Sequence, residues 1–97
     1  MSAYLYGNIT IHDPTLYEQY RAQVPAIIAK YGGRYLVRGG AVEVVEGDVD
    51  AQRQVILEFP DMAALKAFYF SAEYKPMIAI RQRAATGSIT LIEGYLP

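Results

Sequence analysis

The sequence predicts an α+β domain on the ferredoxin-like plan, β-α-β-β-α-β, with a four-stranded antiparallel sheet and its helices on one face. Three observations carry this. Short stretches rich in β-branched and aromatic residues occur at 3–11, 34–38, 54–59 and 88–94. After the first and third of them, apolar residues recur at intervals of three and four, as on a helix. An aspartate stands at the head of each of these helical stretches, where a cap belongs. The length of 97 residues fits one domain, 1–97.

The elements follow in order. Residues 3–11, AYLYGNITI, put Leu5, Ile9 and Ile11 on one face and Tyr4, Tyr6, Asn8 and Thr10 on the other. Asp13 then caps a helix whose first position is Pro14. Leu16, Tyr20, Val24, Ile27, Ile28 and Tyr31 form its apolar stripe. Pro25 is expected to kink this helix or loosen a turn, because it removes a backbone donor, and Gly32 to stop it. Arg34–Arg38 reads as the second strand. Gly39-Gly40 reads as a bulge or bend, after which AVEVVEG, 41–47, resumes the strand. A polar loop at 47–53 leads to QVILEF, 54–59, a third strand closed by Pro60 and paired with the second as a hairpin.

Asp61 caps the next helix, which buries Met62, Leu65, Phe68 and Tyr69. Ser71 is a further capping residue, so this helix breaks in two, and Pro76 must fall in the first turn of its second half. Gly87 is expected to end that half, and SITLIEG forms the last strand.

Composition bounds the function. A hydrophobic fraction of 53% with only 20% charged residues leaves an apolar surplus for another chain to cover. Nine tyrosines against three phenylalanines point the same way, since tyrosine suits surfaces that are half dry and half wet. The non-helical face of the sheet would carry Tyr4, Tyr6, Ile56 and Ile92, and a second copy packed face to face is the simplest cover. A net charge of −1 and a pI of about 5.7 offer nothing to phosphate backbones or anionic membranes. The chain has no cysteine, no apolar run of membrane-spanning length and no signal-peptide pattern, so a cytoplasmic location is expected.

GGRYLVRGG, 32–40, with VILEFPD, 55–61, FYFSAEY, 68–74, and a last run, 81–94, that opens on Arg81 and Ala84 and closes on LIEG, resemble one of the uncharacterised "domain of unknown function" families of the dimeric α/β-barrel superfamily. The resemblance spans nearly the whole chain. It implies a homodimer whose sheets stack into a barrel-like core, and no established reaction. Cofactor-free monooxygenases, lactone isomerases, dehydratases and stress-response proteins share the superfamily, and activity does not follow from fold alone. Phe70 and Pro76 depart from the pattern, both at the helix break.

Most of the candidate site residues come from these motifs, and Tyr6, Asn8 and His12 from the first strand and the turn after it. Arg34 and Arg38, four apart on a strand, are expected to share a face. With Tyr6 and Asn8 on the first strand and Glu58 on the third, they would form a polar cluster in a cavity between the sheet and a partner. An arginine there would hold a carboxylate or enolate, Glu58 would serve as a base if burial raised its pKa, and Tyr6 or Asn8 would orient a carbonyl. The alternative is a cross-strand ion pair between an arginine and Glu58. Tyr69, Ser71 and Tyr74 could line the mouth, or Ser71 could cap a helix while the tyrosines pack; Arg81 could reach the sheet rim or lie in solvent. His12, the lone histidine, stands beside Asp13 as a second candidate base at a surface position.

No cofactor and no metal are expected: there is no His/Cys cluster and no phosphate-cradling glycine loop. RNA-recognition modules share the element order, but RQVILEF puts Val55 and Leu57 where stacking rings belong, so no nucleic-acid partner is expected. Two functions remain. One is a homodimer holding a small anionic or carbonyl-bearing molecule, with cofactor-free isomerase, lyase or monooxygenase chemistry open to it. The other is a non-catalytic structural or stress-related dimer whose Arg/Glu cluster is an ion network.

Overall fold

In the computed structural model, which describes residues 1–49 and 53–97, the chain runs β1 (Ala3–Ile11), α1 (Pro14–Lys30), β2 (Arg34–Arg38), β3 (Arg53–Phe59), α2 (Met62–Tyr69), α3 (Lys75–Ala84) and β4 (Ala85–Glu93). The strands form one antiparallel sheet in the order β2-β3-β1-β4. This is the expected α+β, ferredoxin-like plan. Burial along β1 alternates as its sequence does: Ala3, Leu5, Gly7 and Ile9 are buried beneath the helices, while Tyr4, Tyr6, Asn8 and Thr10 are half-buried on the open face.

Local chemistry sets the helix limits. Asp13 Oδ1 accepts from the Leu16 amide at 3.0 Å and Asp61 Oδ1 from the Ala64 amide at 2.7 Å, each satisfying a donor that the first helical turn leaves free. Ser71 bridges α2 and α3. Its hydroxyl donates to the Phe68 carbonyl at 2.8 Å and accepts from the Tyr74 amide at 3.1 Å. Pro76 falls in the first turn of α3, as expected. The core beneath the sheet is built on Leu5, Val24, Ile28, Leu57, Phe59 and Phe68. Burying each such side chain contributes roughly 1.5–3 kcal/mol.

Two local expectations are overturned, at 41–47 and at Gly87. Residues 41–47 do not resume the strand: Gly39 donates to Gln54 O at 2.8 Å and the ladder ends there. The chain bends at Gly39, as expected, and a one-residue bulge lies earlier in the strand, between Tyr35 and Val37. α1 runs through Pro25 as one helix, and the carbonyl that Pro25 leaves unpaired acquires another donor, described below. Gly87 does not end a helix. α3 stops at Ala84, and Gly87 sits inside β4 opposite Ile9. Of the 47–53 loop, 50–52 lie outside the described residues, and Arg53 opens β3.

Candidate functional site

The bulge in β2 decides where the arginines go. Arg34 pairs with Glu58 and Tyr35 with Leu57, but beyond the extra residue Val37 pairs with Ile56 and Arg38 with Val55. Strand partners one residue apart face opposite ways. Arg34 therefore shares the open face with Glu58, and Arg38 turns beneath the sheet with Val55. The two arginines do not share a face, which corrects the expectation drawn from their spacing.

Beneath the sheet, between β1, β3 and α1, lies a mostly enclosed cavity of about 30 Å³. Its walls are apolar (Leu5, Val24, Ile28, Leu57, Ile89), and its polar lining consists of tyrosines and arginines: Tyr17, Tyr20, Tyr35 and Tyr74 with Arg21, Arg38, Arg53 and Arg81. Among the described residues no aspartate, glutamate or histidine lines it. Among the described residues Arg21 alone of these arginines has a carboxylate partner, Glu18 at 2.7 Å on the outer surface.

Arg81 is the inner pole. It is 6% exposed, the one charged residue in the buried set among the described residues. Its Nη1 donates to the Tyr74 hydroxyl at 2.9 Å and its Nη2 to the Tyr69 hydroxyl at 3.4 Å. The Tyr74 and Tyr20 hydroxyls lie 2.6 Å apart. Burial works against the Arg81 charge, but the phenol oxygens of Tyr74, Tyr69 and Tyr20 outweigh it and raise the guanidinium's pKa. Burial also pushes the Tyr20 hydroxyl well above the usual phenol value and raises that of Tyr74. Both phenols are therefore neutral at physiological pH, and neither is a counter-ion. The Tyr20–Tyr74 pair spends one of its two O–H protons on itself, so the other stays available to an acceptor in the cavity. The inner pole is thus a cation with a polarised donor, an arrangement that stabilises an oxyanion.

Arg38 and Arg53 form the outer pole. Pro25 has no N–H to give to the Arg21 carbonyl one turn back, and Arg38 Nη2 reaches that carbonyl at 3.3 Å. The Arg38 guanidinium also lies 4.6 Å over the Tyr35 ring. Arg53 lies 5.5 Å over the Tyr17 ring, and its buried Nε has no hydrogen-bond partner among the described residues. Gly39 makes room for it: φ is +72°, and a Cβ there would collide with the Arg53 guanidinium.

The remaining candidates stand elsewhere. Glu58 accepts from Arg34 Nε at 2.8 Å and Nη2 at 2.7 Å, and from the Tyr4 hydroxyl at 3.3 Å. The hydrogen bond from Arg34 lowers its pKa, the reverse of what a base would need. This is the cross-strand ion pair expected as the alternative. Because the folded-state pKa is depressed, the pair contributes stability above the unfolded carboxylate value of about 4.3 and loses it as pH falls through the folded value. Glu58→Gln should therefore be less stable than the wild type at neutral pH, with the difference vanishing in acid; urea melts at pH 7 and pH 3 check it. Tyr6 donates to Gln54 Oε1 and Gln54 Nε2 to Asn8 Oδ1 at 3.1 Å, a closed network on the open face. His12 is exposed at the β1–α1 junction and does not line the cavity. Ser71 is occupied as a cap. Of the proposed set, Arg38, Tyr69, Tyr74 and Arg81 come together and the others do not.

Tyr17, Tyr20 and Arg53 were not foreseen as site residues. Tyr20 stood in the apolar stripe of α1, where a ring reads as packing, and Arg53 fell in an expected loop. The signal available was phenols on a core-facing stripe, which need partners when buried.

The open face holds a shallow, wholly apolar depression formed by Tyr4, Tyr6, Leu36, Ile56 and Ile92. No helix among the described residues is long and apolar enough to cross a membrane, and no group of three or more potential metal ligands occurs among them.

Comparison with solved structures gives the same fold. A protein of unknown function from Rhodopseudomonas palustris superposes with a TM-score of 0.73 at 19% identity, covering 99% of this chain and 84% of that one. A dimeric ferredoxin-like protein of unknown function from Jannaschia sp. CCS1 gives 0.68 at 13%, covering 99% and 100%. SnoaB, a cofactor-independent oxygenase from Streptomyces nogalater, gives 0.63 at 14%, covering 99% and 95%. No functionally curated protein matches the sequence. The family model described as "Domain of unknown function (DUF1330)" matches residues 2–95.

Proposed function

From the premise that this chain belongs to the DUF1330 family, we propose that it is a homodimeric protein that binds a small organic anion in the cavity between its sheet and helices. One observation carries the reading: Arg81 is buried against neutral phenols with no carboxylate beside it among the described residues. A buried guanidinium without a counter-ion is costly. A carboxylate or enolate entering the cavity would supply the missing charge and accept the free phenolic proton. The ligand thus sits on the helix side of the sheet, not between sheet and partner.

The lining offers donors and no base, so its chemical capacity is to stabilise negative charge on a bound oxygen. That suits cofactor-free chemistry on a substrate that arrives ionised. SnoaB, a cofactor-independent oxygenase, is compatible with this as a neighbour in fold. Calorimetric titration with acetate and benzoate, with chloride as a control at equal ionic strength, tests the proposal. Saturable binding with Kd of about 1 mM or tighter, near −4 kcal/mol, is expected for a carboxylate and not for chloride. Equal, non-saturating responses to all three anions would end it.

The homodimer rests on the apolar depression of the open face and on the dimeric protein from Jannaschia. Light scattering should give twice the chain mass of 10.8 kDa, and Ile56→Glu should halve it by placing a charge in the depression. A monomeric wild type at micromolar concentration would overturn the assembly.

A further inference from the structure

We infer that the ligand of this cavity is a dianion, two acidic groups joined by a short apolar spacer. The inference rests on the proposed anion site and adds the second acidic group. The cavity has two cationic poles on one helix track. Arg53 lies against Tyr17 and Arg38 against the Arg21 carbonyl, one turn of α1 apart. Arg81 lies at the Tyr20–Tyr74 hydroxyl pair. Ring-centroid steps of 5.3 Å from Tyr17 to Tyr20 and 6.2 Å from Tyr20 to Tyr74 separate the poles, and aliphatic side chains such as Leu5, Val24 and Ile89 line the same cavity.

A single carboxylate at Arg81 would leave the outer pole without a counter-ion among the described residues. Among the described residues Arg38 is held by a neutral carbonyl at 3.3 Å and an aromatic face. These are weaker partners for a guanidinium than a carboxylate, which it grips through two parallel N–H donors. The space of about 30 Å³ admits an acidic head and little else, so the spacer and second acid must extend toward the mouth, where Arg38 is exposed. Exchange of Arg38 from the Arg21 carbonyl to the second acid would close the ligand in.

The test compares succinate, glutarate and adipate with butyrate, valerate and hexanoate by calorimetry, on the wild type and on Arg38→Gln. One diacid is expected to bind at least about tenfold tighter than the monoacid of equal carbon count. Arg38→Gln should reduce that ratio to near one, weakening the diacids well beyond any loss in the monoacids. If monoacids bind and no diacid is preferred, the two-pole inference fails and the anion site stands. If Arg38→Gln weakens both series equally, the outer pole is not a separate subsite, and the inference also fails. If neither series binds, both readings fall together.

Discussion

Replacing Arg81 by methionine is expected to abolish carboxylate binding while leaving the protein folded and at least as stable as the wild type. Methionine has similar length and fits irregular apolar space. It removes a charge that is 6% exposed and has no carboxylate partner among the described residues. Exchanging buried ionic groups for well-packed apolar ones is often neutral or stabilising, by about 1–4 kcal/mol. Two hydrogen bonds are lost, but Tyr74 keeps Tyr20 at 2.6 Å and half-buried Tyr69 can turn to solvent. The net effect should lie between zero and a gain of about 2 kcal/mol, a rise of several degrees in Tm for a chain of this size. A gain in stability with a loss of binding is the signature of a residue kept for function. A loss of more than about 3 kcal/mol, the cost of breaking a structural buried pair, would show Arg81 to be part of the scaffold and remove the observation on which the proposed function stands.

Gly87→Ala is expected to be the most damaging single-methyl change in the sheet. At φ of +139° a side chain is strained whatever the space around it, and here there is none: the added Cβ would collide with the Asn8 carbonyl oxygen and lie 2.8 Å from Ile9 Cα. Both obstacles are backbone, so the β1–β4 ladder itself must part. Glycine-only backbone strain costs about 1–3 kcal/mol and overpacking a similar amount. A loss of about 3 kcal/mol or more in urea melts is therefore expected. Ala79→Gly, on the exposed side of α3, is the control and should cost only about 1 kcal/mol. A Gly87→Ala variant no worse than that control would mean that the strand path around residue 87 differs from the one described.

The β1 and helix assignments were legible because they rest on short-range patterns. Period-two alternation set β1, Asp13 and Asp61 set the helix starts, and Ser71 with Pro76 set the break between α2 and α3. The misassignments have one kind of cause. AVEVVEG has the composition of a strand, but composition does not supply a neighbour to pair with. Gly87 has the look of a helix stop, and only its position against Asn8 reveals a close approach inside a sheet.

The site was half legible. Arg38, Tyr69, Tyr74 and Arg81 were named from their motifs, yet their common location was not, because a one-residue bulge between Tyr35 and Val37 is invisible in the spacing of Arg34 and Arg38.

By itself the sequence determined the α+β class, the element order, the apolar open face and the absence of thiol chemistry, since each follows from residue type and periodicity along the chain. The tertiary structure alone decided which face each arginine takes, that Arg34 and Glu58 neutralise each other, and that Arg81 is buried among phenols. Those outcomes depend on register and on contacts between residues far apart in the chain; the Tyr20–Tyr74 pair is separated by 54 positions. A one-residue shift in strand pairing reverses every side chain beyond it, so no local reading of the residues could have placed the charge.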